Sequence, residues 1–518
     1  MRADFNTLIL AVEGYPDKLS YLPGEEVAFH CSARTKTYSV EITRVGAGRE
    51  IVWRREGIVG VEYPTPTDAY ANGCGWPVAF SFLIPAAWRS GYYEVTLRGA
   101  TLNGNSVQGP EAIGHAFFVV RSAHPGQDTS ILLVLSTNTY NAYNRWGGHC
   151  LYTGATQVSF ARPLERGYVF RPDAAYDGRA ASVEPEPDPT HRRVQEYLET
   201  NKYPLWIISA GWPSWERRFA RWAESNGYRI DYAINADLEF HPELLANYQL
   251  MVSMGHDEYW SWGMRDTVDA FVTQGGNVAF FSGNCCFWQV RYEDAGRTMV
   301  CYKATAHEKD PVIGTDRQQF MTGIWSDPII GRPENLTTGL SFCRGGYVRI
   351  GQGVPRSSGA YTIYRPDHWA FAGTDLRYGD LLGVGSFVVA YEVDGCEFTL
   401  QNGLPVPTHG DSTPENFTIL GASPAHMLSI TDEICEAPPP LWASIDPPGD
   451  LEFTTMRLFG DSSPENVAKV AHGYAVMGCF TRGGTVFNVG STDWAYGLDH
   501  DALIQQVTRN VLDRLGRR

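Results

Sequence analysis

The side chains best suited to chemistry occur in clusters that directly follow short apolar runs. The clearest cluster comes after the run Leu250–Ser253 and consists of His256, Asp257, Glu258 and Tyr259. A histidine or carboxylate at such a position can act as a general base toward water if burial brings its pKa near neutrality. A tyrosine there can donate a hydrogen bond to an oxyanion or, as a phenolate, bind a hard ferric ion.

Three further clusters repeat this arrangement. They are Asn138, Tyr140, Asn141, Tyr143 and Asn144 after Ile131–Leu135; Ser282 and Asn284 after Val278–Phe281; and Ser491, Thr492, Asp493 and Trp494 after Val486–Val489. If the four runs are neighbouring parallel strands, their carboxyl ends meet at one edge of a sheet, where ligands bind in open α/β folds. We therefore predict a single site at that edge.

The predicted site has catalytic and substrate-binding members. The catalytic candidates are Glu258, His256, Asn284 and Asp493, and the substrate-binding candidates are Asn138, Tyr140, Asn144, Trp260 and Trp494. Structural roles are open for the same residues. A histidine at a strand end often bonds to backbone, Asp257 and Glu258 can cap a helix that begins near Ser261, and asparagines are common in turns.

An alternation of strands and helices must position these clusters. Helical spacing is found in Ser214–Asn226, Met264–Gln274 and Asp501–Leu515, and buried strands are indicated between and after them. This alternation predicts a doubly wound α/β domain, with a parallel sheet covered by helices on both faces.

The domain boundaries follow from changes in pattern. Residues 1–124 contain short alternating runs separated by turn residues, which predicts an immunoglobulin-like β-sandwich. The α/β domain occupies 125–320 and closes with 461–518, and the glycine- and proline-rich stretch 321–460 between them is predicted to be a mostly β insertion.

Composition limits the function classes. The 518 residues carry a formal net charge of -16, which argues against nucleic acid as a partner because phosphate binding needs a basic surface. No apolar run approaches the ~20 residues that span a membrane, and Leu8–Val12 is too short for a signal sequence, so we expect a cytoplasmic protein. The ten cysteines include no CxxC pair, and whether Cys31 and Cys74 form a disulfide is open.

Four phrases give the chain a family resemblance. TYNAYNRWGG (139–148), MGHDEYWS (254–261), GGNVAFFSGNCCFWQVR (275–291) and VFNVGSTDWAYGL (486–498) occur in this order. Together they resemble the large (β) subunit of the N,N-dimethylformamidase family over most of residues 130–515. The resemblance implies a core similar to class I glutamine amidotransferases. Glutaminase activity is not expected, because the usual nucleophilic cysteine is absent from the GHDEYW segment.

The resemblance also implies an activity and a cofactor. The family hydrolyses a small, formamide-like amide to an amine and formate, with mononuclear ferric iron (Fe3+) held by two tyrosines and a glutamate. Tyr259 corresponds to one iron ligand. The second tyrosine is open among Tyr140, Tyr228 and Tyr232, and the glutamate is sought between residues 301–303 and Trp325, where the sequence offers Glu308. A small accessory subunit and a homo-oligomeric assembly are further implied partners.

Two other functions are compatible with the same residues. The chain can be a metal-free hydrolase or lyase that uses Glu258 or His256 as its base. It can instead be a non-catalytic carbohydrate- or protein-binding module, for which its 15 Trp and 27 Tyr residues provide stacking surfaces.

Overall fold

The structure is a computed structural model. It describes residues 9–99, 101–102, 105–106, 110–172, 197–349, 358–429 and 449–517.

The N-terminal part is built from two β-sheets that face each other. Its strands are β1 (Val12–Pro16), β2 (Ser20–Tyr21), β3 (Glu26–Ala33), β4 (Thr37–Val45), β5 (Arg49–Val59), β6 (Val78–Leu83), β7 (Gly91–Gly99), β8 (Thr101–Leu102), β9 (Asn105–Ser106) and β10 (Ile113–Val120), with a short helix α1 (Ala69–Asn72). One sheet has the order β1-β3-β6 and the other β2-β10-β7-β4-β5. Side chains such as Phe29, Phe80 and Phe118 fill the space between the sheets. The likeness to an immunoglobulin domain stays a prediction.

The rest of the chain is arranged around one large mixed sheet and a smaller four-stranded sheet. Its strands are β11 (Ile131–Leu135), β12 (Gln157–Ser159), β13 (Asp231–Ile234), β14 (Leu250–His256), β15 (Tyr259–Ser261), β16 (Asn277–Gly283), β17 (Trp288–Glu293), β18 (Thr298–Val300), β19 (Ser341–Val348), β20 (Tyr361–Ile363), β21 (Leu381–Leu382), β22 (Tyr391–Gly395), β23 (Phe398–Gln401), β24 (Leu404–Pro407), β25 (Thr418–His426), β26 (His472–Arg482) and β27 (Gly484–Asn488). The main helices are α2 (Thr137–Tyr143), α3 (Glu216–Ser225), α4 (Asn235–Phe240), α5 (Trp262–Thr273), α6 (Ala306–Lys309), α7 (Asn335–Thr338), α8 (Asp450–Phe459), α9 (Pro464–Ala468), α10 (Trp494–Gly497) and α11 (Ala502–Leu515).

The first half of the large sheet is parallel. Its order is β13-β11-β14-β16-β27, and each neighbouring pair is parallel. The predicted parallel pairing of the strand before His256 with the strand before Asn284 is thus confirmed, with Met251 opposite Val278. The carboxyl ends of these strands lie at one edge, as the prediction of a common site requires.

Both faces of the parallel strands are covered, because their side chains point alternately to opposite sides. In β14, Val252 packs on the face that also buries Phe219 of α3 and Ile504 of α11. The adjacent residue Met251 packs on the opposite face with Val268 of α5.

The second half of the sheet is antiparallel and uses strands from residues 321–460. From β27 the order continues β26-β25-β19-β22, with β20 paired to β25 and β21 paired to β20. The stretch that the sequence suggested as an insertion therefore extends the central sheet. A bridge between Val393 and Ser491 brings β22, and with it Glu392, back beside the carboxyl ends of the parallel strands. The likeness of this core to a glutamine amidotransferase stays a prediction.

Gly255 is a point of close packing just before His256. Its φ is +85°, and a Cβ there would lie 2.5 Å from Cβ of Trp215 and 2.6 Å from Cγ of that residue. Trp215 is itself fixed by a 2.9 Å hydrogen bond from its Nε1 to Asp493 Oδ1. The position therefore requires glycine both for its backbone conformation and for space.

Glu216 is a buried carboxyl at the start of α3. Tyr140 donates a 2.7 Å hydrogen bond to Glu216 Oε1, and the backbone N–H of Ser136, at the end of β11, donates to the same oxygen at 3.4 Å. Burial raises the pKa of Glu216 to about 8, an effect that these hydrogen bonds only partly offset. The carboxyl is thus mostly protonated at pH 7 in the folded protein.

Two general expectations can be compared with the described residues. No helix among them is both long and apolar enough to cross a membrane. Cys31 and Cys74 are buried free thiols, so the structure does not join them in a disulfide.

We expect Gly255→Ala to lower the midpoint of thermal unfolding by several degrees more than Gly24→Ala. Gly24 has a similar φ of +89° but no atom within 4 Å of an added Cβ, so it reports the backbone strain alone. Overpacking against Trp215 should add about 1–3 kcal/mol. Equal midpoints measured by circular dichroism would contradict this account of the contact.

We expect Glu216→Gln to change how stability depends on pH. A carboxyl whose folded pKa exceeds its unfolded value binds more protons when folded, so wild-type stability should fall as pH rises from about 5 to 8. The glutamine variant has no carboxyl to titrate at this position. The difference in free energy of unfolding between the wild type and the variant should therefore change by about 3 kcal/mol over that pH range. Parallel pH profiles for the two proteins would show that Glu216 titrates normally.

Candidate active site

Four of the predicted site residues come together at the carboxyl edge of the parallel strands. His256 ends β14, Glu258 and Tyr259 follow it, and Asn284 follows β16. All four are buried, at 2% exposure or less. The parallel register explains their proximity, since His256 lies opposite Gly283.

His256 forms the centre of this group. Its Nδ1–H donates to the carbonyl oxygen of Ser209 at 2.8 Å, and its Nε2 lies 2.6 Å from Glu392 Oε2 and 3.3 Å from Glu258 Oε2. Nδ1 thus has the backbone contact that the sequence suggested for this histidine, and Nε2 faces the two carboxylates and is available for a catalytic role. Asn284 Nδ2 donates to the same Glu392 oxygen at 3.0 Å.

Glu258 is held by donors on one oxygen only. Its Oε1 accepts hydrogen bonds from Tyr152 at 2.7 Å and from Trp288 Nε1 at 2.8 Å. Glu258 Oε2 and Asn284 Oδ1 are buried acceptors with no hydrogen-bond donor among the described residues. Buried acceptors of this kind are rare in proteins and often occur where a ligand binds.

A pair of phenols and a lysine lie next to Glu258. Tyr259 donates a 2.8 Å hydrogen bond to the hydroxyl of Tyr152, and Lys303 Nζ donates to the hydroxyl of Tyr259 at 3.1 Å. The ammonium also lies 3.1 Å from the centroid of the Tyr152 ring and 4.8 Å from that of Trp288, which is cation–π contact. Lys303 is only 1% exposed.

The charges in this group are strongly coupled. Burial alone would lower the pKa of His256, but the charge and hydrogen bond of Glu392 and the charge of Glu258 raise it to about 9. Burial opposes ionisation of Glu392, yet the neighbouring imidazolium holds its pKa below the usual value. The pKa of Glu258 is raised by burial and by the charge of Glu392, against the effect of His256.

Burial also acts on the two phenols. It raises the pKa of Tyr152 and Tyr259 well above the usual value, and the charge of Glu258 adds to the shift. Both side chains are therefore neutral phenols unless a metal ion binds to their oxygens.

Backbone strain is concentrated at the same place. Asn284, Lys303 and Tyr391, which precedes Glu392, have φ values of +48°, +49° and +62°. Residues other than glycine rarely adopt such angles, at a cost of about 1–3 kcal/mol each, and they often occur at functional sites.

The structure places the other predicted residues outside this group. Asn138 Nδ2 donates to the backbone oxygen of Tyr259 at 2.9 Å, so it holds the backbone of the site. Tyr140 and Asn144 line a separate cavity against the sandwich. Asp493 accepts hydrogen bonds from Trp215 and Thr492.

The two predicted tryptophans are core residues. Trp260 donates to the backbone oxygen of Asp257 at 3.0 Å, and Trp494 donates to Thr508 at 3.0 Å and stacks on Phe281. Neither makes a hydrogen bond to the group around His256.

The suggested partners of Tyr259 also lie elsewhere. Tyr140, Tyr228 and Tyr232 donate to Glu216, Asp513 and Glu224, respectively, and Glu308 is exposed on α6. The tyrosine that contacts Tyr259 is Tyr152, and the adjoining carboxyl is Glu258. The helix cap suggested for Asp257 and Glu258 is wrong, because Ser261 Oγ accepts from the backbone N–H of Met264 at the start of α5.

Sequence reasoning missed Glu392, Tyr152 and Lys303. Glu392 has the same signal as His256, since it follows an apolar run, Val388–Ala390. That run was assigned to an insertion rather than to the sheet, so its polar residue was not placed at the common edge. Tyr152 lies in a turn and Lys303 begins a short 3-10 helix, and neither carries a comparable signal.

Comparison with known proteins places the chain in a family. The family model described as N,N-dimethylformamidase beta subunit-like, C-terminal, matches residues 39–508. The N,N-dimethylformamidase beta subunit of an Alcaligenes species is 22% identical over 479 residues, covering 86% of this chain and 54% of that protein. The N,N-dimethylformamidase beta subunit of Paracoccus aminophilus is 23% identical over 478 residues, covering 85% and 54%.

The chain thus spans about half the length of these curated relatives. A solved family 123 glycoside hydrolase from Clostridium perfringens aligns with 51% of this chain and 67% of its own at 6% identity, but its TM-score of 0.11 carries no information on the fold. The resemblance expected from the four sequence phrases is confirmed. Since the family model covers most of the sequence, the chain belongs to the N,N-dimethylformamidase beta subunit-like, C-terminal family.

Proposed function

We propose that this chain carries the active site of a hydrolase that cleaves the C–N bond of a small, formamide-like amide. The supporting observation is the buried group of His256, Glu392, Glu258 and Asn284 at the carboxyl edge of the parallel strands. It offers an acid, a base and an amide in hydrogen-bond contact, and the curated relatives are named as subunits of an amidase.

The protonation states suggest a role for each group. With its lowered pKa, Glu392 is a carboxylate that can take a proton from water as the water oxygen adds to the amide carbon. His256, with a pKa of about 9, is protonated at neutral pH and can donate a proton to the departing nitrogen. The C–N bond then breaks to give an amine and formate. The proton on Glu392 can return to His256 across their 2.6 Å contact.

Asn284 and Ser209 position these groups. Asn284 Nδ2 holds the reactive oxygen of Glu392, while its Oδ1 is available to accept a hydrogen bond from an amide N–H or from water. The carbonyl of Ser209 fixes the orientation of the His256 ring through Nδ1. Because all of these groups are buried, bulk water is largely excluded, which strengthens their electrostatic interactions.

We also propose that the site binds ferric iron through Glu258, Tyr152 and Tyr259. The donor chemistry fits, because one carboxylate and two phenol oxygens lie in a chain of 2.7 and 2.8 Å contacts. Among the described residues no three histidine, cysteine, aspartate or glutamate side chains form a metal site, so these mixed oxygen donors are the relevant set. When bound, iron acts as a Lewis acid that polarises a carbonyl oxygen and lowers the pKa of water. Binding would release the phenol protons.

The assembly is part of the proposal. The relatives are named beta subunits, a name that indicates further subunits in those proteins. We propose that this chain likewise works with a small accessory subunit, in a homo-oligomeric complex.

We expect Glu392→Gln and Glu258→Gln each to reduce kcat for N,N-dimethylformamide or a related formamide at least 100-fold. Glu392 is the proposed base, whose loss typically costs 10²–10⁴ in rate, and Glu258 is a proposed ligand of the iron that polarises the amide. Glu216→Gln is the matched control, because Glu216 is a buried carboxyl that is already mostly neutral at pH 7 and lies outside the site. Formamide hydrolysis by all three variants at the wild-type rate would remove the catalytic assignment.

We expect the protein purified without chelator to contain about one iron per chain and to absorb visible light through tyrosinate-to-iron charge transfer. Tyr152→Phe or Tyr259→Phe should remove this absorbance, whereas Tyr140→Phe should retain it, because Tyr140 binds Glu216 instead. Elemental analysis and absorption spectra provide the measurement. A colourless, iron-free protein that still hydrolyses formamides would favour a metal-free hydrolase that uses Glu258 or His256.

A further inference from the structure

A second group of possible metal ligands lies on the antiparallel half of the large sheet. His426 at the end of β25 and His472 at the start of β26 are directly opposite each other in the antiparallel register. Their Nδ1 atoms are 3.4 Å apart, and their ring centroids are 5.3 Å apart with an interplanar angle of 37°. Neither residue belongs to the group around His256.

We propose that His426 and His472 form a two-histidine site for a divalent transition metal of tetrahedral preference, such as Zn²⁺. The separation of the two nitrogens fits chelation. With metal–nitrogen bonds of about 2.0–2.1 Å and a tetrahedral angle, two ligating nitrogens lie about 3.3–3.4 Å apart. A direct hydrogen bond between the rings would normally be shorter, at about 2.7–3.2 Å.

The position of the pair suits a metal site. His472 is exposed and His426 partly exposed, so the pair lies at the surface of the sheet. The paired strands fix both backbones in advance, so little conformational entropy is lost on binding. Two protein ligands leave the remaining positions to water or to another ligand. Imidazole suits zinc, copper and nickel better than magnesium or calcium.

A metal held at this site would join β25 to β26. These strands connect β27, the last parallel strand, to β19 and then to β22, which carries Tyr391 and Glu392. Binding should therefore raise the resistance of this half of the sheet to unfolding, by an amount that depends on metal concentration.

The test is a titration of the 518-residue protein, as purified, with Zn²⁺ and with Cu²⁺, followed by isothermal calorimetry. We expect one equivalent to bind and Cu²⁺ to bind more tightly than Zn²⁺, in accordance with the Irving–Williams order. His472→Asn and His426→Asn should each weaken this binding at least ten-fold. The Cu²⁺ complex should show nitrogen ligation by electron paramagnetic resonance, and that signal should be reduced in both variants.

Two controls separate this site from other binding. His241→Asn removes a partly exposed histidine that lies 3.7 Å from Glu243 rather than beside another histidine, and it should leave the titration unchanged. Glu258→Gln alters the proposed active site and should also leave it unchanged, so the two proposals can fail independently. If His426→Asn fails to fold, the exposed His472→Asn alone decides the result. Wild-type affinity in His472→Asn, or no binding by the wild type, would overturn the proposal.

Discussion

The pairing of His256 with Glu392 inside the protein is the interaction on which the candidate site depends. A lone buried charge is very costly, whereas a buried pair with good geometry and additional hydrogen bonds can persist. Here the 2.6 Å contact is supported by the carbonyl of Ser209 on one side and the amide of Asn284 on the other. Removing either charged partner would leave the other uncompensated, so the pair fixes both the protonation and the position of its neighbours.

This pair also joins the two halves of the central sheet. His256 ends a parallel strand in the middle of the sheet, whereas Glu392 lies on β22, at the end of the antiparallel half. The antiparallel strands β25 and β26 lie between them in the sheet order. The candidate site therefore exists only when both halves have formed, which links catalytic geometry to the completion of the fold.

The other part of the site combines a carboxyl, two phenols and a lysine. Glu258, Tyr152, Tyr259 and Lys303 form a continuous series of contacts that starts next to His256. Their burial makes the phenols poor acids and makes any positive charge near their oxygens highly effective. This environment, rather than the identity of one residue, is the basis of the proposal that the group binds a hard metal ion and a small polarised substrate.

The sequence by itself determined the parallel pairing of the strands before His256 and Asn284, the family, and four residues of the candidate site. These features depend on local signals: apolar runs of strand length, helical spacing, and polar groups placed directly after a strand. Asn138 lies near the site and supports it through a hydrogen bond to the backbone of Tyr259. The same signal predicted five residues whose side chains make their contacts outside the candidate site: Tyr140, Asn144, Trp260, Asp493 and Trp494. A position after a strand fixes the edge of the sheet, but not the direction in which a side chain points.

Only the tertiary structure decided which partners complete the site. Glu392 is 134 positions from Glu258 in the sequence, and its strand was assigned to an insertion because short glycine-rich β runs do not indicate which sheet they join. Tyr152 lies in a turn and Lys303 begins a short 3-10 helix, and local propensity does not indicate which residues such short segments contact. The pairing of His256 with Glu392 arises from long-range strand order, and strand order is decided by how whole faces of the sheet are buried.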